Sequence, residues 1–441
     1  MSGQKRTLAV GIVHRLREAG HEAYFAGGCV RDQLLGRAPA DFDVATSAPP
    51  DAVRALFPRT VPIGAQFGVI LVVVDGVPFE VATFRSDDAY VDGRRPSRVH
   101  FGSAQEDALR RDFTINGLFL DPLDGRVVDF VAGRADLRAG VVRAIGDARA
   151  RIGEDRLRML RAVRFAARFG FAIDAATHAA IVAAAPTVTD IAAERIGDEL
   201  VKILTEGGAR RGFALLSDTG LLDAVLPEVA RMRGVAQSAD FHPEGDVFVH
   251  TLLLLSQLPA GASESLALGA LLHDVAKPTC ADVHEGRITF YGHPAVGAEK
   301  AVEICQRLRR SRTTWERVAY LVRNHLRVVQ APDMRLSTLK KMLREEGVDE
   351  LLALAQMDAL ASNCDLTYVE FCRRRRAELA VEEPAQPPRL LGGDDLIALG
   401  YAPGPAFGAM LAALEEAQLE DHVRTRDEAV RFVTARYPRP A

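Results

Sequence analysis

The sequence has few cysteines and no long hydrophobic run. Its 441 residues include five cysteines, an odd number, and no two of them form a Cys-x-x-Cys motif. This pattern argues for a reducing compartment and against zinc sites built from thiolates. No apolar stretch reaches the length of a membrane span, and the N-terminus lacks the features of a signal peptide. We therefore expect a cytoplasmic protein that does not enter a membrane.

The chain also lacks an excess of positive charge, since its formal net charge is −4. Nucleic-acid binding depends on local phosphate contacts more than on the sum of charges, so this value excludes no such function. Arginine-rich runs occur at 307–312 and 373–376, but few aromatic residues lie among them. Base stacking is therefore not indicated, and RNA recognition, where it occurs, is expected to depend on shape and backbone contacts.

The most informative residues lie near the N-terminus. An apolar run ends in Gly27 and Gly28, which predicts a strand followed by a turn whose backbone N–H groups can approach a phosphate. Farther on, Asp41 and Asp43 alternate with Phe42 as in a strand, which points both carboxylates to one side. Two carboxylates on one face suit a pair of divalent ions acting at phosphorus. Taken singly, each feature is commonly an ordinary turn or a solvated strand edge.

Three later segments add to this pattern. Residues 79–85 predict another strand, in which Glu80 is either a third carboxylate beside the metal ions or an exposed strand residue. Residues 90–96 form a polar segment broken by glycine and proline, which predicts a mobile loop. Residues 106–117 open a predicted helix whose arginine and asparagine side chains can hold triphosphate oxygens.

In this order the segments resemble the signature of the nucleotidyltransferase superfamily typified by DNA polymerase beta. Within it they resemble the bacterial class II CCA-adding enzymes and the related bacterial poly(A) polymerases, over nearly the whole chain. The resemblance implies an α+β fold: a polymerase-beta-like head with a mixed sheet, then a helical neck, an HD region and a tail. It also implies template-independent transfer of CMP and AMP from CTP and ATP to the 3′ end of tRNA.

The resemblance implies roles for individual residues. Mg²⁺ ions in the head would be bound by the catalytic carboxylates Asp41, Asp43 and Glu80. The triphosphate would be held by Gly27, Gly28, Arg31, Arg111 and Asn116, with Asp112 near the sugar. Nucleotide binding would continue on the following helix, through Asp155, Arg158, Arg161 and Arg164.

Asp155 and Arg158 lie three residues apart and would share one face of a helix. Spacing alone favours a charged helix face without further function. The CCA-adding enzymes, however, carry Glu-Asp-x-x-Arg here and use it in place of a template. Cytosine and adenine offer an amino donor beside a ring-nitrogen acceptor, so an accepting Asp and a donating Arg can pair with C or A and mismatch G or U.

The predicted loop discriminates within the family. Enzymes that add only the two cytidines tend to lack an arginine-bearing flexible loop, and this chain has Arg94 and Arg95. The alternative is a solvated basic loop. We therefore expect the terminal adenosine to be added as well.

A second chemistry is indicated in the C-terminal half. A His-Asp pair, His273 and Asp274, lies inside an apolar segment, where a buried aspartate needs a strong partner such as a metal ion. The order of histidines and aspartates resembles the HD phosphohydrolase superfamily. This implies one divalent metal held by His250, His273, Asp274 and Asp358, and a second site completed by His293 and His325. The alternative is a relic fold with structural histidines.

Relatives with such an HD domain can hydrolyse 2′,3′-cyclic phosphates and phosphomonoesters, which would repair damaged tRNA ends. The domain boundaries that we expect are 1–146 for the head, 147–230 for the neck, 231–378 for the HD domain and 379–441 for a proline-containing linker and helical tail.

Two kinds of alternative stay open. One is an enzyme that adds only the terminal A, or a poly(A) polymerase. The other is a metal-dependent HD phosphohydrolase whose N-terminal half merely binds RNA. No obligatory protein partner and no membrane association are indicated.

Overall fold

The computed structural model describes residues 2–87, 99–237, 245–284, 287–382 and 389–438. The chain divides into two compact units. The first comprises residues 1–231 with the short segments 258–262 and 307–310, and the second comprises 232–257, 263–306 and 311–441. None of the helices in the described residues combines the length and hydrophobicity needed to cross a bilayer.

The first unit contains a seven-stranded mixed sheet, with the strand order β3-β4-β5-β2-β1-β8-β9. Its strands are β1 Ala23–Ala26, β2 Asp43–Thr46, β3 Thr60–Gly64, β4 Val69–Val74, β5 Val77–Thr83, β8 Leu118–Leu120 and β9 Val127–Asp129. Two strand pairs lie outside this sheet: β6 Arg85–Asp87 with β7 Val99–Phe101, and β10 Val141–Val142 with β11 Ala172–Ile173. Phe25, Val44, Ile70 and Val81 are at most 1% exposed, so alternate strand residues form the core.

The strand register brings two predicted carboxylates together. β2 runs parallel to β5, with Val44 opposite Val81, and antiparallel to β1, with Asp43 opposite Ala26. Asp43 and Glu80 each precede one member of the Val44–Val81 pair, so they lie side by side on neighbouring strands. The same edge of the sheet holds the glycine turn that follows Ala26.

Helices complete the first unit. They are α1 Ser2–Glu18, α2 Gly28–Leu34, α3 Pro50–Leu56, α4 Ala104–Leu109, α5 Gly133–Ala139, α6 Ala148–Glu154, α7 Leu157–Phe169, α8 Ala175–Ala184, α9 Ala193–Thr205, α10 Ala209–Asp218, α11 Leu221–Val225 and α12 Pro227–Ala230. α4 begins at a capping box, in which the Ser103 hydroxyl accepts from the Glu106 N–H and the Glu106 carboxylate accepts from the Ser103 N–H. α7 presents a strongly apolar face, with Met159, Leu160 and Val163 fully buried.

The second unit is almost entirely helical. Its helices are α13 Val247–Ser256, α14 Glu264–Leu272, α15 Lys277–Cys280, α16 His293–Arg307, α17 Arg312–Asn324, α18 Leu336–Arg344, α19 Val348–Ala361, α20 Thr367–Glu382, α21 Gly393–Ala398, α22 Ala406–Leu419 and α23 Arg426–Arg436. A hairpin of β12 Asp282–His284 and β13 Arg287–Thr289 interrupts them. The last three helices enclose a small core of their own around Leu396, Leu414 and Val433.

Local structure differs from expectation at three places. The predicted turn consists of Gly27 alone. The next residue, Gly28, already begins α2, which continues through Arg31 and Asp32. The strand predicted over 41–44 begins only at Asp43. Asp155 does not share a helix with Arg158: α6 ends at Glu154, Asp155 has extended backbone angles, and α7 begins two residues later. In the last case an acidic cap residue has replaced a continuous helical face.

Candidate functional site

An open cleft of about 570 Å³ lies in the first unit. Four carboxylates line it: Asp43, Glu80, Asp112 and Asp155. Eight arginines also line it: Arg31, Arg110, Arg111, Arg158, Arg161, Arg164, Arg168 and Arg195. The excess of arginine makes this cleft a binding site for an anion, even though the chain as a whole is acidic.

The glycine turn forms one wall of the cleft. Gly27 has φ +69°, a conformation that residues with a side chain rarely adopt, and a Cβ atom there would lie 3.0 Å from Arg111 Nη1. At Gly28 a Cβ atom would lie 3.6 Å from Arg31 Nη2. The two glycines therefore keep the backbone close to two guanidinium groups, which leaves space for a phosphate between them.

The carboxylates beside the turn carry excess negative charge. Burial among the surrounding protein atoms and, secondly, neighbouring Glu80 together raise the pKa of Asp43 to about 6 against the opposing charge of Arg111. Asp43 nevertheless keeps contact with water at the open cleft. A raised pKa on a water-accessible carboxylate indicates negative charge without a matching cation, and a divalent ion would supply that cation.

Asp41 lies differently from Asp43. Its side chain is 78% exposed, does not line the cleft and forms an ion pair of 3.1 Å with Lys5 of α1. The predicted alternation itself is present, because Phe42 is buried between the two exposed aspartates. The role of Asp41 as a metal ligand stays a prediction.

A chain of hydrogen bonds crosses the cleft. Arg31 Nη1 donates to Asn116 Oδ1 at 2.7 Å, and Asn116 Nδ2 donates to Asp112 Oδ1 at 3.0 Å. The other oxygen of Asp112 accepts from Arg161 Nη2 at 2.6 Å. Burial alone would raise the pKa of Asp112, but Arg161 and the hydrogen bond from Asn116 outweigh it and lower the pKa to about 2. Asp112 is therefore a fixed anion that orients Asn116 and Arg161.

Asp155 and Arg158 meet at the cleft although they lie on separate elements. Asp155 Oδ1 accepts from the backbone N–H of Leu157 at 3.0 Å, and its Oδ2 accepts from Arg195 Nη2 at 2.8 Å. Arg158 Nη1 donates to Glu154 Oε2 at 2.5 Å and to the carbonyl of Arg151 at 2.7 Å. Both side chains are thus held in place before any ligand binds, which is the condition for selective hydrogen bonding to a base.

Sequence reasoning missed several residues of this cleft. Asp107 is 1% exposed and pairs with Arg110 at 2.5 Å and with Arg111 at 2.8 Å, so one buried carboxylate aims two arginines. Its spacing of three and four residues from these arginines is the signal that could have revealed it. Arg195 carried no such signal, because it lies 40 residues from Asp155 in the sequence. The predicted loop arginines, Arg94 and Arg95, lie outside the described residues.

A second cluster lies in the second unit, within its helical core. Five of its six members, His250, His273, Asp274, His293 and His325, are at most 6% exposed. Among the described residues two groups have ligand atoms within 4.8 Å of one another: His250 with His273 and Asp358, and Asp274 with His293 and His325. From the sequence we predicted that Asp274 binds the same metal as His250, His273 and Asp358. Its two oxygens face both sets, Oδ2 lying 3.1 Å from His273 Nε2 and Oδ1 lying 3.3 Å from His293 Nε2.

The backbone fixes the histidine tautomers in this cluster. The Nδ1 atoms of His273, His293 and His325 lie 2.9, 2.7 and 2.7 Å from the carbonyls three residues earlier. A carbonyl only accepts, so Nδ1 carries a proton in each of the three rings and Nε2 is the atom that faces the cluster. Burial, and secondarily His273, lowers the pKa of His325 to about 4, so this imidazole is neutral at pH 7.

These residues fit a divalent metal centre. His273 Nε2 and Asp274 Oδ1 are buried without a hydrogen-bond partner of good geometry in the described part of the chain. Burial would raise the pKa of Asp274, yet His273 and Lys277 hold it well below its usual value, so the carboxylate is ionised. Lys277, which sequence reasoning missed, lies 2.7 Å from Asp274 Oδ2 and one helical turn after it. Neutral imidazoles and ionised carboxylates are the forms that bind transition metals.

Family models match three parts of the chain. The Poly A polymerase head domain matches residues 23–143, the probable RNA and SrmB-binding site of polymerase A matches 170–232, and the HD domain matches 248–363. The predicted head with a mixed sheet and the predicted HD region are thereby confirmed. The boundaries given for the four domains stay predictions.

Two curated relatives are CCA-adding enzymes. The CCA-adding enzyme of Geobacillus stearothermophilus is 45% identical over 223 residues, which are 50% of this chain and 55% of that relative, so the chain matches about half of its length. The CCA-adding enzyme of Levilactobacillus brevis is 34% identical over 414 residues, covering 92% of each chain.

Two solved structures share the fold along almost the whole chain. The Bacillus stearothermophilus CCA-adding enzyme in complex with CTP is 28% identical, with a TM-score of 0.76 over 99% of this chain and 97% of that one. The Thermotoga maritima CCA-adding enzyme complexed with tRNA is 20% identical, with a TM-score of 0.59 over 98% and 95%, and so shows the fold alone. The identity maintained along 92% of the Levilactobacillus relative places this chain in the family of CCA-adding enzymes.

Proposed function

We propose that this chain transfers CMP and AMP from CTP and ATP to the 3′ end of tRNA and so builds or repairs its CCA terminus. The observation that carries the proposal is the single cleft in which Asp43 and Glu80 lie with the ordered pair Asp155 and Arg158. Likeness to a CTP complex of a CCA-adding enzyme supports CTP as a substrate. The 92% coverage of a CCA-adding relative favours this activity over a poly(A) polymerase or an enzyme that adds only A.

Asp43 and Glu80, with Asp41 nearby, would hold Mg²⁺. The raised pKa of Asp43 supports this assignment, because it reports negative charge that a cation would stabilise. When bound, Mg²⁺ would supply the charge that activates the terminal 3′-OH and stabilises the leaving pyrophosphate.

The remaining cleft residues would bind and orient the nucleotide. Gly27, Gly28, Arg31, Arg111 and Asn116 would hold the triphosphate, and Asp112 would lie near the sugar while keeping Arg161 and Asn116 in position. Arg164, ion-paired with the buried Glu199 at 2.7 Å, would contribute positive charge at the base of the cleft.

Asp155 and Arg158 would choose the base. In the 2.8 Å ion pair with Arg195 the Asp155 carboxylate keeps further acceptor capacity, and Arg158 has donors besides the one held by Glu154. A C or A edge would satisfy both side chains. A G or U edge would place donor against donor and acceptor against acceptor, which is costly in a partly dry site.

Product length tests this proposal. Purified protein is given tRNA transcripts ending at the discriminator base, at C and at CC, with CTP, ATP or both, plus Mg²⁺. We expect all three to grow to a CCA end. Growth of only the CC transcript by one A would make this an A-adding enzyme, long A tails would indicate a poly(A) polymerase, and no growth would overturn the proposal.

We propose a second activity for the buried histidine-aspartate cluster, namely hydrolysis of 2′,3′-cyclic phosphate or phosphate ends. The observation that favours it is the set of three histidines held in one tautomer around an ionised Asp274. A bound divalent metal would supply a nucleophilic hydroxide and a Lewis acid at phosphorus. Metal-loaded protein incubated with 2′,3′-cyclic CMP should add water to it and open the ring to 2′- or 3′-CMP, and Asp274→Asn should abolish this conversion.

A further inference from the structure

Two phenylalanines of α7 lie among the arginines of the cleft. Phe165 and Phe169 are four residues apart and therefore share one helix face. Their rings are stacked, with 6.2 Å between centroids and 10° between planes. Phe165 lines the cleft and is 4% exposed, while Phe169 is half-buried.

Five guanidinium groups surround this aromatic pair. Three lie over the Phe165 ring, with distances from guanidinium carbon to ring centroid of 4.3 Å for Arg164, 5.1 Å for Arg31 and 5.3 Å for Arg161. Three lie over the Phe169 ring, at 4.7 Å for Arg31, 5.1 Å for Arg37 and 5.2 Å for Arg168. All six distances are within the range of cation–π attraction.

Two carboxylates also contact this group. Asp32 lies 2.7 Å from Arg31 and 3.8 Å from Arg168, and Glu206 lies 3.1 Å from Arg168. No carboxylate of the described residues lies within ion-pair distance of Arg37. An aromatic ring attracts a cation through its quadrupole but carries no net charge. The rings can therefore hold the arginines in place without cancelling their field.

That property matters for an anionic ligand. A further carboxylate in place of the rings would also order the arginines, but it would neutralise more of their charge. An arginine held on an aromatic face is ordered and still attracts phosphate. Arg31 is the connecting residue, because it lies on both rings, belongs to α2 beside the glycine turn, and donates to Asn116 across the cleft.

We propose that Phe165 and Phe169 are positioning residues for triphosphate recognition. Together with Asp32 and Glu206, they hold Arg31 and Arg168 toward the polyphosphate of a nucleoside triphosphate. This inference rests on the proposed nucleotide site and adds to it two residues that contact no ligand themselves. A merely structural role for the two rings would predict that every ligand of the cleft is affected equally.

The test compares CTP with CMP in equilibrium binding to the full-length chain. In Phe169→Leu and Phe169→Met the ring is removed while apolar volume is kept. We expect the Kd for CTP to rise about tenfold, as the loss of three cation–π contacts implies, and the Kd for CMP to change less than about twofold. Phe169→Tyr keeps the aromatic face and should bind CTP within about twofold of the original chain.

Phe213→Leu is the matched control, because Phe213 is fully buried in the same unit and contacts no arginine of the cleft among the described residues. It should lower the melting temperature and leave the ratio of the two Kd values unchanged. Equal weakening of CTP and CMP in the Phe169 variants, or no weakening in either variant, would overturn the inference. If the original chain binds CTP no more tightly than CMP, the failure lies in the proposed nucleotide site itself.

Discussion

The cleft of the first unit and the cluster of the second solve the problem of concentrated charge in opposite ways. The cleft is open to water and surrounds its carboxylates with arginines, whereas the cluster is buried and surrounds Asp274 with imidazoles and one lysine. An open, arginine-rich site suits a large polyanion that enters and leaves. A dry site of fixed tautomers suits a small cation that stays. Electrostatic environment thus distinguishes the two sites of this chain.

The pKa values show the same difference. Asp43 in the cleft has a raised pKa, because burial and Glu80 disfavour its charge. In the cluster, burial would raise the pKa values of Asp274 and Asp358. Neighbouring histidines, together with Lys277 at Asp274, outweigh burial and lower both pKa values. A cation beside Asp43 would therefore favour its charged form, while the carboxylates of the cluster are already ionised.

The largest expected effect comes from disabling one site at a time and measuring both activities. Asp43→Asn should lower nucleotide addition by about 1,000-fold or more, since several kcal/mol of transition-state stabilisation are lost, and leave hydrolysis of 2′,3′-cyclic CMP within about twofold. Asp274→Asn should do the reverse. Both activities are measured on both variants, and a variant that loses the two together would show that the sites are not independent.

Asp112 tests whether the cleft orders its own arginines. Because the folded-state pKa is lowered from 3.8 to about 2, the carboxylate stabilises the fold above pH 4 and loses this contribution as the pH falls from there toward 2. Asp112→Asn should therefore lower the free energy of unfolding by about 2 kcal/mol at pH 7. Urea titrations at pH 7 and at pH 3 measure this. The difference in the free energy of unfolding between the original chain and Asp112→Asn should be smaller at pH 3 than at pH 7. If it is not, the ion pair between Asp112 and Arg161 is not its cause.

The raised pKa of Asp43 predicts the pH dependence of metal binding. Below pH 6 the folded chain holds a proton on Asp43, so the affinity for Mn²⁺ in the head should fall about tenfold per pH unit. Without metal, the free energy of unfolding should decrease as the pH rises from about 4 to 6, because only the folded state retains that proton.

Glu80→Gln measures how much Glu80 contributes to the raised pKa of Asp43. Glu80 raises the pKa of Asp43, so its removal should move the inflection in Mn²⁺ binding to lower pH. Asp51→Asn is the control, because the Asp51 side chain is 95% exposed and lies away from the cleft lining. Mn²⁺ binding is followed by electron paramagnetic resonance in protein carrying Asp274→Asn, so that the second cluster does not contribute. An inflection that Glu80→Gln leaves in place would exclude Glu80 as the cause.

The smallest expected effect concerns stability of the second unit. Removing metal with a chelator and adding back Ni²⁺ or Mn²⁺ should raise its melting temperature by about 3 °C or more, since metal binds the folded state. Asp274→Asn should remove most of this increase. Asp43→Asn serves as the comparison and should leave it intact, and an increase that depends on Asp43 instead would place the stabilising metal in the head.

Much of both sites could be predicted from residue types and short spacings. The glycine pair, the Asp-x-Asp alternation and the His-Asp pair depend on periodicity and on turn geometry, which act over a few residues. Membership in the CCA-adding family was predicted on these motifs and is confirmed. The prediction was wrong at two places. Asp155 ends α6 with extended backbone angles and accepts from the Leu157 N–H instead of continuing a helix, and α2 begins where a longer turn was expected.

The sequence by itself determined which chemical groups the protein has, because carboxylate pairs, glycines and histidines are readable one motif at a time. Tertiary structure alone decided which of these groups contact one another. The parallel register of β2 and β5 brings Glu80 beside Asp43, Arg195 reaches Asp155 from another helix, and Phe169 receives Arg31 and Arg37 from α2 and the chain beyond it. These pairings join residues far apart in the chain, and their energies depend on burial and on distance, which no local pattern encodes.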